Sequence, residues 1–169
     1  MMKKTRNGAE ERKKILLLLG IISAFFVFCP VSEGATLAVG EISERSGAGI
    51  IVPVILGLEN KKEDIFALSF DFDFDSSALS FKKAVIGPAA NDSAKILSYS
   101  EISAGKVRIL IFGLNANAIP EGGVADMIFE AKDSAPAGIY KVSFSSAIAS
   151  DNEAGSAALS LMGGEVPIE

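Results

Sequence analysis

Residues 66–75 constrain the fold more than any other part of the chain. They read Phe-Ala-Leu-Ser-Phe-Asp-Phe-Asp-Phe-Asp. Side chains alternate across a β-strand, so Phe66, Leu68, Phe70, Phe72 and Phe74 fall on one face. Ala67, Ser69, Asp71, Asp73 and Asp75 take the other. A helix would scatter the phenylalanines around its axis. The pattern predicts a half-buried strand with one face on a core and one face wet.

Strand-like runs recur on both sides of this one. They cover residues 36–42, 49–56, 79–86, 95–102, 106–112, 124–132, 138–148 and 161–168. Turn chemistry separates them: Ser46-Gly-Ala-Gly49, Gly87-Pro88, Ala104-Gly105, Pro120-Glu-Gly-Gly123, Ala135-Pro-Ala-Gly138 and Asp151-Asn152. No stretch after residue 34 keeps a helical period. About nine short strands point to an all-β antiparallel sandwich or jelly roll. Pro53 has no N–H to give a ladder, so its strand is expected at an edge, bulged or bent.

The first 34 residues follow different rules. A basic stretch with Lys3, Lys4, Arg6, Arg12, Lys13 and Lys14 precedes an almost wholly apolar run over 15–31. Small residues Ser32 and Gly34 then lead to Ala35. This is the layout of a hydrophobic export signal helix, cleaved before Ala35. An uncleaved signal anchor is the rival reading, since about 17 apolar residues sit at the short end of what spans a bilayer. Either way the chain divides into a signal, 1–34, and one module, 35–169. Its expected location is extracytoplasmic: secreted, periplasmic or on the cell surface. The membrane is met only through the signal.

Charge and composition exclude several functions. Of 16 basic and 21 acidic residues, six and three precede Ala35, which leaves the module 10 and 18 and a net charge of −8. Such a surface repels phosphate backbones, so no nucleic-acid partner is expected. The sole cysteine, Cys29, lies inside the apolar run between Phe28 and Pro30, so it is not placed for lipid attachment. The module therefore has no disulfide and no thiolate site. There is no histidine, which removes Ser-His-Asp and Cys-His catalysis and the commonest metal ligand. Asp71, Asp73 and Asp75 are spaced about 7 Å apart by the strand rise, within reach of glycosidase chemistry. The module, however, has no Trp and only Tyr99 and Tyr140 to stack sugars. Neither those aspartates nor Asp151-Asn152-Glu153 matches a twelve-residue calcium loop. They are read as a solvated strand face and an acidic turn. The isolated pairs Gly122-Gly123 and Gly163-Gly164 are turns or bulges, not phosphate cradles. No catalytic residue, metal or cofactor is expected.

Several segments, in order, resemble the cohesin family of dockerin-binding scaffold modules. Val39-Gly-Glu-Ile42 and Ile51-Val-Pro-Val-Ile55 are similar to its opening strand pair. Phe70-Asp-Phe-Asp-Phe-Asp-Ser-Ser-Ala-Leu79 resembles its third strand and turn. Lys106-Val-Arg-Ile-Leu-Ile-Phe112 resembles its sixth strand, and Asn117-Ala-Ile-Pro-Glu-Gly-Gly-Val124 the loop that follows. Phe129-Glu-Ala-Lys-Asp-Ser-Ala-Pro-Ala-Gly138 resembles its Lys-x-x-Ala-Pro-x-Gly turn. Ala149-Ser-Asp-Asn152 and Gly163-Gly-Glu-Val166 are similar to its last loop and strand.

The resemblance implies a nine-stranded jelly-roll β-sandwich and a protein partner, a dockerin-bearing one, held on the sheet face made by strands three, five, six and eight. It places Ser69, Asp71 and Asp73 of strand three, Ser98 and Ser100, or else Tyr99, of strand five, and Arg108 and Leu110 of strand six on that face. Lys106 is a further candidate there. Ala67 and Ser69 stand where type I cohesins often carry Asn and Asp. The expected role is a non-catalytic binding module linked to polysaccharide degradation. The alternatives are a carbohydrate-binding module and a structural piece of an envelope or secretion assembly.

Overall fold

The computed structural model describes residues 34–45, 49–59, 64–151 and 155–169. Residues 1–33 of the signal segment, the turn at 46–48 and the Asn152-Glu153 part of the acidic turn lie outside the described residues. Among the described residues, no helix is long and apolar enough to cross a membrane.

Two sheets face each other across one apolar core. The first contains β1 (Ala35–Val39), β2 (Ser43–Arg45), β3 (Gly49–Leu58), β5 (Leu79–Ile86), β8 (Gly122–Ala131) and β11 (Leu159–Met162). Its order is β11-β1-β3-β8-β5, with β2 also on β3. The second contains β4 (Ala67–Phe74), β6 (Ile96–Ser103), β7 (Lys106–Phe112), β9 (Gly138–Ser150), β10 (Ser156–Ala157) and β12 (Gly164–Ile168). Its order is β10-β9-β4-β7-β6, with β12 also on β9. All pairings are antiparallel except β1 with β11. Nine of these strands have five residues or more, as the jelly-roll expectation requires, and β2, β10 and β11 are shorter pieces.

The alternation in 66–75 builds the core as expected. Leu68, Phe70 and Phe72 are buried, and Phe74 is half-buried. Phe72 and Phe74 of one sheet meet Phe129 of the other, with ring centroids 6.0 Å and 4.9 Å away. Phe144 packs edge-on to both Phe70 and Phe72. Edge-to-face pairs of this kind add about 0.5–1.5 kcal/mol each beyond their area burial.

Pro53 is not on an edge strand. β3 lies inside its sheet, between β1 and β8. The Pro53 carbonyl accepts from Gly40 N–H at 2.8 Å, just where β1 has ended and β2 has not begun. A residue's N and O leave an antiparallel strand on the same side, so the missing N–H faces this break in the neighbouring strand. A bulge follows at Val54/Ile55.

A single turn of helix, α1 (Pro88–Asp92), stands where the sequence predicts only a Gly-Pro turn. Proline at the first helical position costs nothing, because that N–H has no intrahelical partner. Five residues are too few to show a helical period.

Candidate functional site

The β9-β4-β7-β6 order brings together the four strands that the sequence resemblance singles out. On β7, Val107, Ile109 and Ile111 are fully buried, so Lys106, Arg108, Leu110 and Phe112 face outward. Register carries that face to the neighbours. Asp73, Asp71 and Ser69 of β4 stand opposite Lys106, Arg108 and Leu110. Ser100, Ser98 and Ile96 of β6 stand opposite Arg108, Leu110 and Phe112.

Tyr99 does not share this face. It stands opposite the buried Ile109, and its ring packs edge-on against Phe81 of the other sheet at 5.5 Å. It is still 43% exposed, because it closes the open side of the sandwich between β5 and β6. Alternation puts Tyr99 opposite in sense to Ser98 and Ser100, so the three cannot form one surface.

The charged half of the face is locked internally. Arg108 Nε and Nη2 donate to the two oxygens of Asp71 at 2.7 and 2.9 Å. Asp71 is on the outer face as expected, yet it is not wet: the arginine lies over it, and it is 3% exposed. The Arg108 hydrogen bonds are the leading reason its carboxyl sits below the usual carboxylate value, against a desolvation that pushes upward. Lys106 Nζ pairs with Asp73 at 2.8 Å and donates to Ser145 Oγ, whose hydroxyl donates to Asp73. The two aspartates are therefore each held by a cation, and Asp71 is driven toward its ionised form. A glycosidase general acid needs the opposite shift.

The other half is apolar. A groove of about 350 Å³ lies between Ala67, Ser69, Leu110, Phe112, Ile148 and Ser150. Leu110, Phe112 and Ile148 are 39%, 41% and 53% exposed. Phe112 and Ile148 were missed in the sequence. Phe112 was findable, since it continues the Lys106-Arg108-Leu110 alternation. Ile148 was not, because Val142 and Phe144 point inward and simple alternation would turn Ile148 inward too. The pairing of β9 with β4 slips between Ser69/Asp71, which places Ser145 opposite Asp71 and Ile148 opposite Ser69. The extra residue, with Ser146 at φ 48°, reverses the phase. Ala149 is then buried and Ile148 faces out.

Beyond Phe112 the chain enters a pinned loop. Asn115 Oδ1 accepts from Lys95 Nζ at 2.9 Å and from Asn117 N–H at 3.0 Å, and its Nδ2 donates to the Ala94 carbonyl at 2.8 Å. Lys95 is buried, with its ammonium 5.7 Å from the Phe66 ring centroid, and burial pulls its pKa down. Leu114, on the same loop, is fully exposed. No group of three or more Asp, Glu, Cys or His side chains that could hold a metal occurs among the described residues.

A family model for the cohesin domain matches residues 35–161. The chain belongs to the cohesin family. Cohesins are non-catalytic binding modules. This cohesin is similar in structure to a type I cohesin in complex with a dockerin from Clostridium thermocellum, at 21% identity and a TM-score of 0.69, over 80% of this chain and 99% of that one. It is also similar to a cohesin module of a family 33 glycoside hydrolase from Clostridium perfringens, at 20% identity and a TM-score of 0.64, over 81% and 98%. A non-cellulosomal cohesin from Archaeoglobus fulgidus has 13% identity and a TM-score of 0.63, over 80% and 91%. At these identities the likeness is one of fold. No curated relative matches the sequence.

Proposed function

We propose that this cohesin domain is an exported docking module that holds a dockerin-type protein on the outer face of β9-β4-β7-β6. One observation carries the reading: an exposed apolar groove lies directly beside an internally paired charge cluster on the outer face of one sheet. Apolar area set beside polar and charged groups is the composition of a protein interface. The solved structures it resembles include cohesin–dockerin complexes, which supports the same class of partner here. Ser69, Asp71, Asp73, Ser98, Ser100, Arg108 and Leu110 belong to this surface. Lys106, Phe112 and Ile148 join it.

Export is part of the same proposal. A cleaved signal at 1–34 delivers the module 35–169 outside the cytoplasm, where polysaccharide-degrading assemblies work. N-terminal sequencing of the native protein tests this, with Ala35 as the expected first residue.

The binding test is a calorimetric titration of the module against a panel of purified dockerins. The expected result is saturable, micromolar-or-tighter binding that is lost in Leu110→Asp. If no dockerin binds and the module is retained on insoluble polysaccharide, it is a sugar-binding module instead.

A further inference from the structure

Every acidic group at the centre of this face is already occupied. Asp71 and Asp73 have side chains 4% and 29% exposed, beneath Arg108 and Lys106 at 47% and 33%. What reaches solvent from the Asp71–Arg108 pair is therefore the cation. Arg108 spends Nε and one Nη2 hydrogen on Asp71. A guanidinium carries five N–H donors, so its outer edge keeps donors for a second acceptor. A partner cation placed there would meet Arg108 and Lys106 at once, and a like-charge contact opposes docking.

The second point is the groove beside it. Leu110 follows Arg108 by two residues on one strand, so the groove and the guanidinium are about 7 Å apart along β7. Side chains two residues apart on an extended segment span that distance, and those one helical turn apart, about 5.4 Å along the axis, come within reach of it through the length of the side chains. Apart from two small serines, Ser69 and Ser150, every residue lining the groove is apolar. Only an apolar side chain gains by filling it.

Resting on the docking reading above, we infer that the partner is held at two points of opposite chemistry. An aliphatic side chain enters the groove between Leu110, Phe112 and Ile148, and a carboxylate about one helical turn away is received by the outer edge of Arg108. The Asp71 pair is then a device that fixes the guanidinium in place before the partner arrives. A rigid donor loses less freedom on binding than a free arginine would.

The test is selection from a displayed library of one dockerin module with its surface positions randomised, using the cohesin module as bait. Binders are then measured against three baits whose thermal melts show that they fold: wild type, Leu110→Asp, and the double variant Asp71→Asn/Arg108→Gln. The double variant removes both charges and keeps a hydrogen-bonding pair. The expected binders carry Ile, Leu, Val or Met with an Asp or Glu one turn away. They weaken about 10-fold on the double variant and lose their salt dependence, and weaken at least 30-fold on Leu110→Asp. Binders that lack an acidic residue, and bind wild type and double variant equally but not Leu110→Asp, overturn the two-point reading and leave the docking face intact. Binders indifferent to all three baits, or no binders at all, overturn the face itself and the proposed function with it.

Discussion

Asp71 and Arg108 stand opposite each other on adjacent strands and close a two-pronged ion pair, with both bonds shorter than 3 Å, on the outside of a sheet. Folding lowers the Asp71 pKa from its ordinary 3.8, chiefly through the Arg108 hydrogen bonds. A carboxylate with a lowered native pKa stabilises the fold above its unfolded value and loses that contribution as pH falls. The stability difference between wild type and Asp71→Asn/Arg108→Gln is therefore constant near neutrality. It shrinks as pH drops through 3.8 toward the lower native value. Denaturant titrations between pH 6 and 2.5 check this, and a pH-independent difference would show that the pair does not form in solution.

Lys95 predicts the opposite slope at the other end of the scale. Burial lowers its pKa from 10.5, so between the two values the unfolded chain binds more protons than the folded one. Stability from this group rises with pH in that window. Thermal melts from pH 8 to 10.5 are expected to show Lys95→Met gaining less, or losing more, than wild type as the pH climbs. Parallel curves would mean that Lys95 reaches water.

The groove and the core respond differently to substitution. Phe112→Ser and Leu110→Asp change exposed side chains, so their melting temperatures should stay within a few degrees of wild type while dockerin affinity falls at least 30-fold, the scale of an interface hot spot of about 2 kcal/mol. Loss of folding in both would place them in the core instead.

Phe72 is fully buried and touches Phe129 across the sandwich and Phe144 beside it. Phe72→Ala is expected to cost about 3–5 kcal/mol in urea unfolding, by lost burial and the cavity it leaves. A cost under 1 kcal/mol would mean that the two sheets do not pack through this ring.

Gly49 sits at φ 79°, and an added Cβ there would collide with the Phe129 carbonyl. Gly49→Ala therefore destabilises the entry to β3 by strain and collision together. Gly57→Ala, where the nearest atom is 3.8 Å away, is expected to be nearly neutral in the same unfolding assay.

Local alternation made much of this protein legible before any tertiary contact was considered. In β7 the period of two separates core from surface residue by residue, in β4 it does so for every residue from Ala67 to Phe72 but Asp71, and β5 and β7 begin and end where the pattern says. The order of cohesin-like segments identified the sandwich and the four strands that carry the proposed docking face. Three features depended on the assembled sheets. Tyr99 turns toward Phe81, because register with Ile109, not polarity, decides which way a strand residue points. Asp71 is buried on a face where it reads as wet, because Arg108 lies over it from a different strand 37 residues away. Ile148 faces out because a bulge adds one residue to β9 and reverses its phase. The sequence by itself determined where most of the long strands run and, in β4 and β7, which face is apolar, since those follow from neighbours two residues apart. Only the tertiary structure decided how the outer face is finished, since ion pairs and bulges depend on register between strands far apart in the chain.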